Sequence, residues 1–415
     1  MVRLFREASL GSERDSLFTD RGTEDGTAVS GTAACAVVQD IPVVSDSSEA
    51  AKAAGDELRI RDDGTLTELA HQGVRVVNRI AMIFVAFMST LPAIAPCQSP
   101  RTQIVMLGTG TPIPDPERSG PSLAIIVDSV AYLFDAGAGV GRRAAAAGQR
   151  GVKAFASRTP NGQPWPRFDR VFLTHLHSDH TLGLADAIFT PWIQGRTTPL
   201  DIYGPPGTKR LVDGILDGNS EDIAERLHAS GGPPVNGWKA IVHEISAGEV
   251  FRDSRVTVNA FLVQHADWKY AFGYRIQTPD GVIVLSGDTR PSPAIAQQCR
   301  ACDVLIHEVY SDSGFASLPA VRKIYHAHAH TSATELGDIA AKAGPRLLVL
   351  DHQLFFGASD ERLLAEVRSR FSGRVVSAKD LDVYTLPLDP DSLRVSSMKL
   401  LPFVREAPRA SWQRR

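Results

Sequence analysis

The residues best equipped for chemistry lie in one short run, Val171-Phe-Leu-Thr-His175-Leu-His177-Ser-Asp179-His180. Alternate side chains of an extended chain point the same way, so His175 and His177 can reach one ion together. Asp179 and His180, in the turn that follows, face a neighbouring position. Imidazole and carboxylate donors without a thiolate suit zinc or another divalent transition ion, and the two-centre spacing points to a dinuclear site. Gly183, just beyond, lets the chain approach closely. A solvated loop holding these four groups by chance is the weaker reading, because the apolar run that delivers them has the pattern of a buried strand.

The elements that must position these residues are set within 415 residues, a length compatible with one to three domains. With 44 basic against 47 acidic residues the net charge is -3, which excludes a chain coated in basic charge for nucleic acid. The 43% hydrophobic and 22% charged content excludes collagenous, wholly disordered and polytopic membrane chains. Four cysteines cannot frame a disulfide scaffold, and Cys299 and Cys302, an isolated C-x-x-C, read as buried apolar cysteines.

Residues 1–73 are rich in Ser, Thr, Ala, Gly and acidic groups and read as a disordered leader. Residues 74–100 carry Arg75 and Arg79, then an uncharged run and the small residues Ala93-Ile-Ala95, the pattern of a secretory signal. This predicts a periplasmic or secreted protein, or a membrane-anchored one, with translation starting near Val74, Val76 or Met82. If the run is instead a core helix, the protein is cytoplasmic. Residues 389–415 form a basic tail.

Between 101 and 388 strands and helices alternate. Strands are predicted at 103–107, 123–128, 131–135, 170–174, 200–203, 255–264, 271–277, 282–286, 304–307 and 347–350. Helices are predicted at 140–147, 207–216, 221–229, 293–299, 334–343 and 360–370, and Ser332-Ala-Thr-Glu335 has the capping-box pattern at the start of the fifth. Such mixing argues for an α/β domain of layered sheets with helices outside.

The H-x-H-x-D-H run resembles the signature of the metallo-β-lactamase superfamily, and further motifs follow in the family's order over some two thirds of the chain. The resemblance implies a single catalytic domain, a four-layer αββα sandwich, and three more ligands: His265, Asp288 and His352. By analogy His175, His177 and His265 hold one zinc, Asp179, His180 and His352 hold the other, and Asp288 bridges, with Mn2+ or Fe2+ as alternative ions. The ribonuclease Z branch and its zinc arylsulfatase-like relatives are most similar, through Leu107-Gly-Thr-Gly-Thr-Pro112, Leu133-Phe-Asp135-Ala-Gly137, Ser286-Gly-Asp288-Thr, Ile306-His-Glu308 and His330-Thr-Ser. In that branch Asp135 steadies the histidine motif, and Glu308 with His330 handles the proton of the leaving group; a structural carboxylate at Glu308 and a polar loop around His326, His328 and His330 are the plainer alternatives. The implied chemistry is attack by a metal-bridging hydroxide, which Asp179 ligates and orients.

For the substrate, the reading put first is a small phosphodiester or sulfate ester. Trp192 and Phe189, Trp268 and Tyr270, and Phe355 and Phe356 lie beside three ligand motifs and are candidate walls of an aryl pocket. The family's tRNA-processing members carry a long basic arm where this chain has only Thr278-Pro-Asp-Gly281, and its charge offers no substitute. A tRNA 3′-processing endoribonuclease is therefore the alternative, followed by a lactonase or β-lactamase-type hydrolase. A non-catalytic binding scaffold ranks last, because all seven ligand positions are intact. The family also implies a homodimer.

Overall fold

The structure, a computed structural model, describes residues 101–156 and 167–388. The leader 1–73, the signal-like segment 74–100 and the tail 389–415 lie outside the described residues. No described helix is long and apolar enough to cross a membrane.

The first sheet comprises β1 (Thr102–Gly108), β2 (Ser122–Val127), β3 (Val130–Phe134), β4 (Arg170–Phe172), β5 (Leu200–Gly204) and β6 (Ala240–Glu244), with β14 (Val383–Leu386) beside β1. The second comprises β7 (Gly248–Arg252), β8 (Thr257–Val263), β9 (Ala271–Thr278), β10 (Gly281–Leu285), β11 (Val304–Tyr310), β12 (Leu347–Leu354) and β13 (Val375–Ser377), adjacent in that order. The pairing is parallel from β3 to β6 and from β10 to β13 and antiparallel elsewhere.

Period-two alternation divides the core into three sheets of packing. Ile104, Met106, Leu123 and Ile125 face Val258, Ile276, Val304 and Ile306 where the two β-sheets meet. Val105, Leu107, Ala124 and Ile126 point the other way, under α1 (Val140–Gln149) and, past the single turn α2 (Ser178–Thr181), under α3 (Leu184–Ile193), α4 (Thr208–Gly218) and α5 (Ser220–His228). On the far side Leu305, Val309, Leu348 and Leu350 are covered by α6 (Pro293–Cys299) and, after α7 (Asp312–Ala316) and α8 (Ala320–Ala329), by α9 (Ala333–Ala343) and α10 (Asp360–Arg368). Helices, sheet, sheet, helices is the expected four-layer αββα sandwich. Each fully buried Val, Leu or Ile contributes about 1.5–3 kcal/mol, so the central seam supplies much of the driving force.

The predicted capping box is made in full, Ser332 accepting from the Glu335 amide and Glu335 from that of Ser332. Other expectations need correction. The half-exposed edge strands β6 and β7 and the short β13 and β14 carry too little apolar alternation to be seen. Within α3, Pro191 masks the helix. Cys299 and Cys302, read from sequence as buried apolar side chains, are buried as expected and joined in a disulfide.

Candidate metal centre

The candidate ligands gather at one end of the sandwich because the strands that carry them end there. Asp135 directly follows β3, His175 and His177 follow β4, His265 follows β8 and Asp288 follows β10, while Glu308 and His352 lie near the ends of β11 and β12. Asp179 and His180 ride on α2, whose close approach depends on Gly183: a Cβ there would meet the Gly137 carbonyl oxygen at 2.1 Å.

His352 is aimed by a break in register. Glu308 pairs with Asp351 but Val309 with Gln353, so His352 is the extra residue of a bulge, at φ 44°. Bulges re-aim a side chain in this way, and the left-handed backbone of a non-glycine residue is strain held by the surrounding strands. Asp135, at φ 56°, is held likewise and accepts from the Thr174 amide at 2.8 Å and the Thr174 hydroxyl at 2.9 Å.

Two clusters of donors result. His177 Nδ1 stands 3.0 Å from both His175 Nε2 and His265 Nε2. His352 Nε2 stands 3.2 Å and His180 Nε2 3.5 Å from Asp179 Oδ2. Between them Asp288 places Oδ1 3.4 Å from His180 Nε2, and Oδ2 3.5 Å from His352 Nε2 and 3.8 Å from His265 Nε2. All seven side chains except His177 are buried.

The donor set fits divalent ions. Three nitrogens on one tetrahedral zinc stand roughly 3.3 Å apart, close to the first cluster's spacing. His180 Nε2 is buried without a hydrogen bond, an arrangement costly in itself unless a further group satisfies it. Burial, reinforced by neighbouring imidazoles, holds His175 well below its ordinary value and His177 at about 4, so both present the neutral ring that a metal requires. In the polypeptide alone burial opposes a charge on His352, but Asp288 and Asp179 outweigh it and raise the group to about 9. The ring nitrogens away from the cluster are also placed: His180 Nδ1 lies 2.8 Å from Asp135 Oδ2, and His265 Nδ1 donates to the Ala329 carbonyl at 2.8 Å.

Beside the cluster, His330 Nδ1 lies 3.4 Å from Glu308 Oε2. Glu308 Oε1 accepts from the Thr331 amide at 3.0 Å and the Thr289 amide at 3.2 Å. One oxygen thus ties β11 to the neighbouring loops and the other faces the imidazole. Burial, together with Asp288, pushes Glu308 up to about 8, and burial holds His330 down at about 4.

A sequence profile of the beta-lactamase superfamily domain matches residues 131–353, more than half of the chain. The chain belongs to the metallo-β-lactamase superfamily. Its place is in the ribonuclease Z-like branch: it is 34% identical over 288 residues to a ribonuclease Z of Mycobacterium bovis, a match that covers 67% of this chain and 96% of that protein. A ribonuclease Z of Mycobacterium marinum is 32% identical over the same span of 288 residues, with 67% of this chain and 96% of the relative covered. Among solved structures, human tRNase Z, short form, aligns with a TM-score of 0.47 at 23% identity, covering 69% of this chain and all of that one.

As a superfamily hydrolase, the protein departs from the sequence reading at the pocket. Trp192 is fully buried in the core under the first sheet, donating to the Pro234 carbonyl, and Phe189 packs with it. Phe355 lies beneath the Arg118 guanidinium, outside the metal cavity. Of the six aromatic residues put forward, Trp268 alone reaches a ligand, its Nε1 being 2.8 Å from His177 Nε2. The opposite wall is α8, a helix where a polar loop was the alternative reading. Arg322, Tyr325 and His326, spaced i, i+3, i+4, turn one face to the metal cavity, with Pro112 and Ile113 beside them. That spacing was the available signal, hidden by the alternation of His and Ala. His328 points away and pairs with Asp267 at the surface.

Proposed function

We propose that this superfamily hydrolase is a metal-dependent phosphodiesterase acting on RNA, and more narrowly a ribonuclease Z-type endonuclease. The observation that carries the reading is the pair of three-donor clusters flanking Asp288, with a His–Glu pair alongside, in a chain one-third identical to proteins named ribonuclease Z. This reverses the ranking from sequence, in which a small phosphodiester or sulfate ester came first. The aryl pocket behind that ranking loses Trp192 to the core and Phe355 to a neighbouring depression.

His175, His177 and His265 would hold one ion, Asp179, His180 and His352 the other, with Asp288 between; zinc suits the nitrogen-rich set. Two such ions would supply Lewis acidity at the phosphoryl oxygens and a nucleophile from water at neutral pH. The chain's own groups do the rest. His352 and His180 keep Asp179 ionised despite its burial, ready to accept a hydrogen bond from the attacking water. His330, backed by Glu308, delivers a proton to the leaving oxygen. Arg322, at the cavity wall, offers positive charge to the phosphate as negative charge develops.

The test is to incubate the purified, metal-analysed protein with a precursor tRNA, bis(p-nitrophenyl) phosphate and p-nitrophenyl sulfate. Cleavage of the tRNA at one position, inhibited by rising salt, supports the reading. Hydrolysis of the sulfate ester with the RNA left intact would return the sequence ranking to first place.

A further inference from the structure

The metal cavity continues into a trough. Ile113 and Leu354 wall both the cavity and a second depression, which includes Arg118, Phe355 and Phe356. Arg118 and Phe355 also wall a third, wider depression, completed by Arg143, Arg150 and Lys379. The path from the ligands is thus apolar first, aromatic in the middle and cationic at its far end.

The cations there play two roles. Arg118 belongs to the floor: its Nη1 donates to Gln353 Oε1 at 2.6 Å and to Thr109 Oγ1 at 2.9 Å, and its guanidinium lies 5.1 Å from the Phe355 ring centre. Arg143 pairs with Asp380 at 3.1 Å, and Asp380 also accepts from Thr109 and from the Ser119 amide. Asp360 accepts from Ser377 Oγ at 2.6 Å. Arg150 and Lys379 make no side-chain hydrogen bond or ion pair among the described residues, and two further carboxylates are exposed, Glu117 at the far end and Asp115 in the middle depression. The cations are therefore concentrated at the far end, where Arg118, Arg143, Arg150 and Lys379 stand with Glu117, Asp360 and Asp380, and Arg150 and Lys379 are the ones without a side-chain partner among the described residues.

Stacking surfaces interleaved with unpaired cations are the means by which proteins hold single-stranded nucleic acid without reading its sequence. We propose that the trough binds a single-stranded RNA segment flanking the scissile phosphate, its bases against Phe356 and the Arg118 guanidinium that covers Phe355, and its phosphates against Arg150 and Lys379. The proposal rests on the RNA reading above and extends it: a small ester would fill the metal cavity alone. It also supplies an electrostatic contact that the short hairpin between β9 and β10 does not.

Fluorescence anisotropy of a labelled ten-nucleotide oligouridine, titrated with the metal-loaded full chain at several ionic strengths, tests it. Arg150→Glu with Lys379→Glu should raise Kd at least tenfold and reduce the slope of log K against log salt by about 1.4, roughly 0.7 for each phosphate contact on a single strand. Arg150→Lys with Lys379→Arg should bind as the parent does, which separates loss of charge from misfolding. Lys209→Glu with Arg226→Glu, on the α4 and α5 surface, should leave binding intact. An unchanged Kd in the first variant, or an equal loss in the last, overturns the proposal. A parent protein that hydrolyses bis(p-nitrophenyl) phosphate but does not bind the oligonucleotide overturns the trough while leaving phosphodiester hydrolysis standing. Hydrolysis of neither RNA nor the diester would sink the proposed function itself.

Discussion

Asp135 Oδ2 lies 2.8 Å from His180 Nδ1, which turns the opposite nitrogen of that ring toward Asp179 and Asp288. The same carboxylate grips the Thr174 amide and hydroxyl, one residue before His175. A single buried side chain therefore orients both ends of the histidine motif. Partners of this kind are worth about 10- to 100-fold in metal affinity. Asp135→Asn should lower affinity for the second ion by that factor, read by competition with a chromophoric chelator. Unchanged affinity would make Asp135 a purely structural group.

His175→Ala should remove the first ion and turnover together. Elemental analysis should show the loss of at least one ion per chain, and prolonged chelation of the parent protein should abolish hydrolysis until divalent metal is restored. Full activity in a metal-depleted His175→Ala protein would refute the metal reading.

His330→Ala should behave differently, because His330 is assigned to the proton and not to the ions. Metal content should stay at the parent level while kcat on RNA falls about 10²- to 10⁴-fold. With bis(p-nitrophenyl) phosphate, whose leaving group departs without a proton, the loss should be much smaller. Glu308→Gln should follow the same pattern more mildly. Equal losses on both substrates would assign the pair to metal binding or folding instead.

Away from the site, Glu366 supports the start of α7. It accepts from Ser311 Oγ and the Asp312 amide at 2.9 Å, the Ser313 amide at 3.0 Å and Arg362 Nε at 3.0 Å. Burial opposes its ionisation, but these donors outweigh it and hold the group below its ordinary value of 4.5. A depressed carboxyl pKa contributes stability that is complete above the unfolded value and is lost as pH falls through the folded one. Glu366→Gln should therefore cost roughly 1–3 kcal/mol near neutrality. In thermal melts its deficit against the parent should shrink as the pH is lowered below about 4.5. A deficit that stays constant across that range would exclude the charge as its source.

The ligands were legible because each belongs to a short motif at the end of an apolar strand: β1, β2 and β11 are continuous runs buried on both faces, and β8 alternates in part. The pocket was not legible, because proximity in sequence is a poor guide to which side of a strand-to-helix turn an aromatic ring takes. Trp192 stands 12 positions after His180 and is core; Tyr325 stands far from the histidine motif and lines the cavity. The end of β12 was missed for a related reason: Asp351, His352 and Gln353 are polar yet buried, so hydropathy stops the strand at Leu350 while its backbone pairing continues to Leu354. The bulge that aims His352 leaves no mark in composition.

The two sheets contribute to both clusters: His265 from the second joins His175 and His177 from the first, and His352 joins Asp179 and His180. His352 and Asp179 are 173 positions apart. Each ion would therefore act as a rivet through the central seam: the first could not be held fully until β8 has docked, and the second not until the late strand β12 has. Because ligation of this kind is itself folding free energy, metal capture would come near the end of assembly and favour the finished sandwich over its halves. A chain starved of metal would lose more than turnover, since the strained backbone at His352 would be left without the bond it is bent to make.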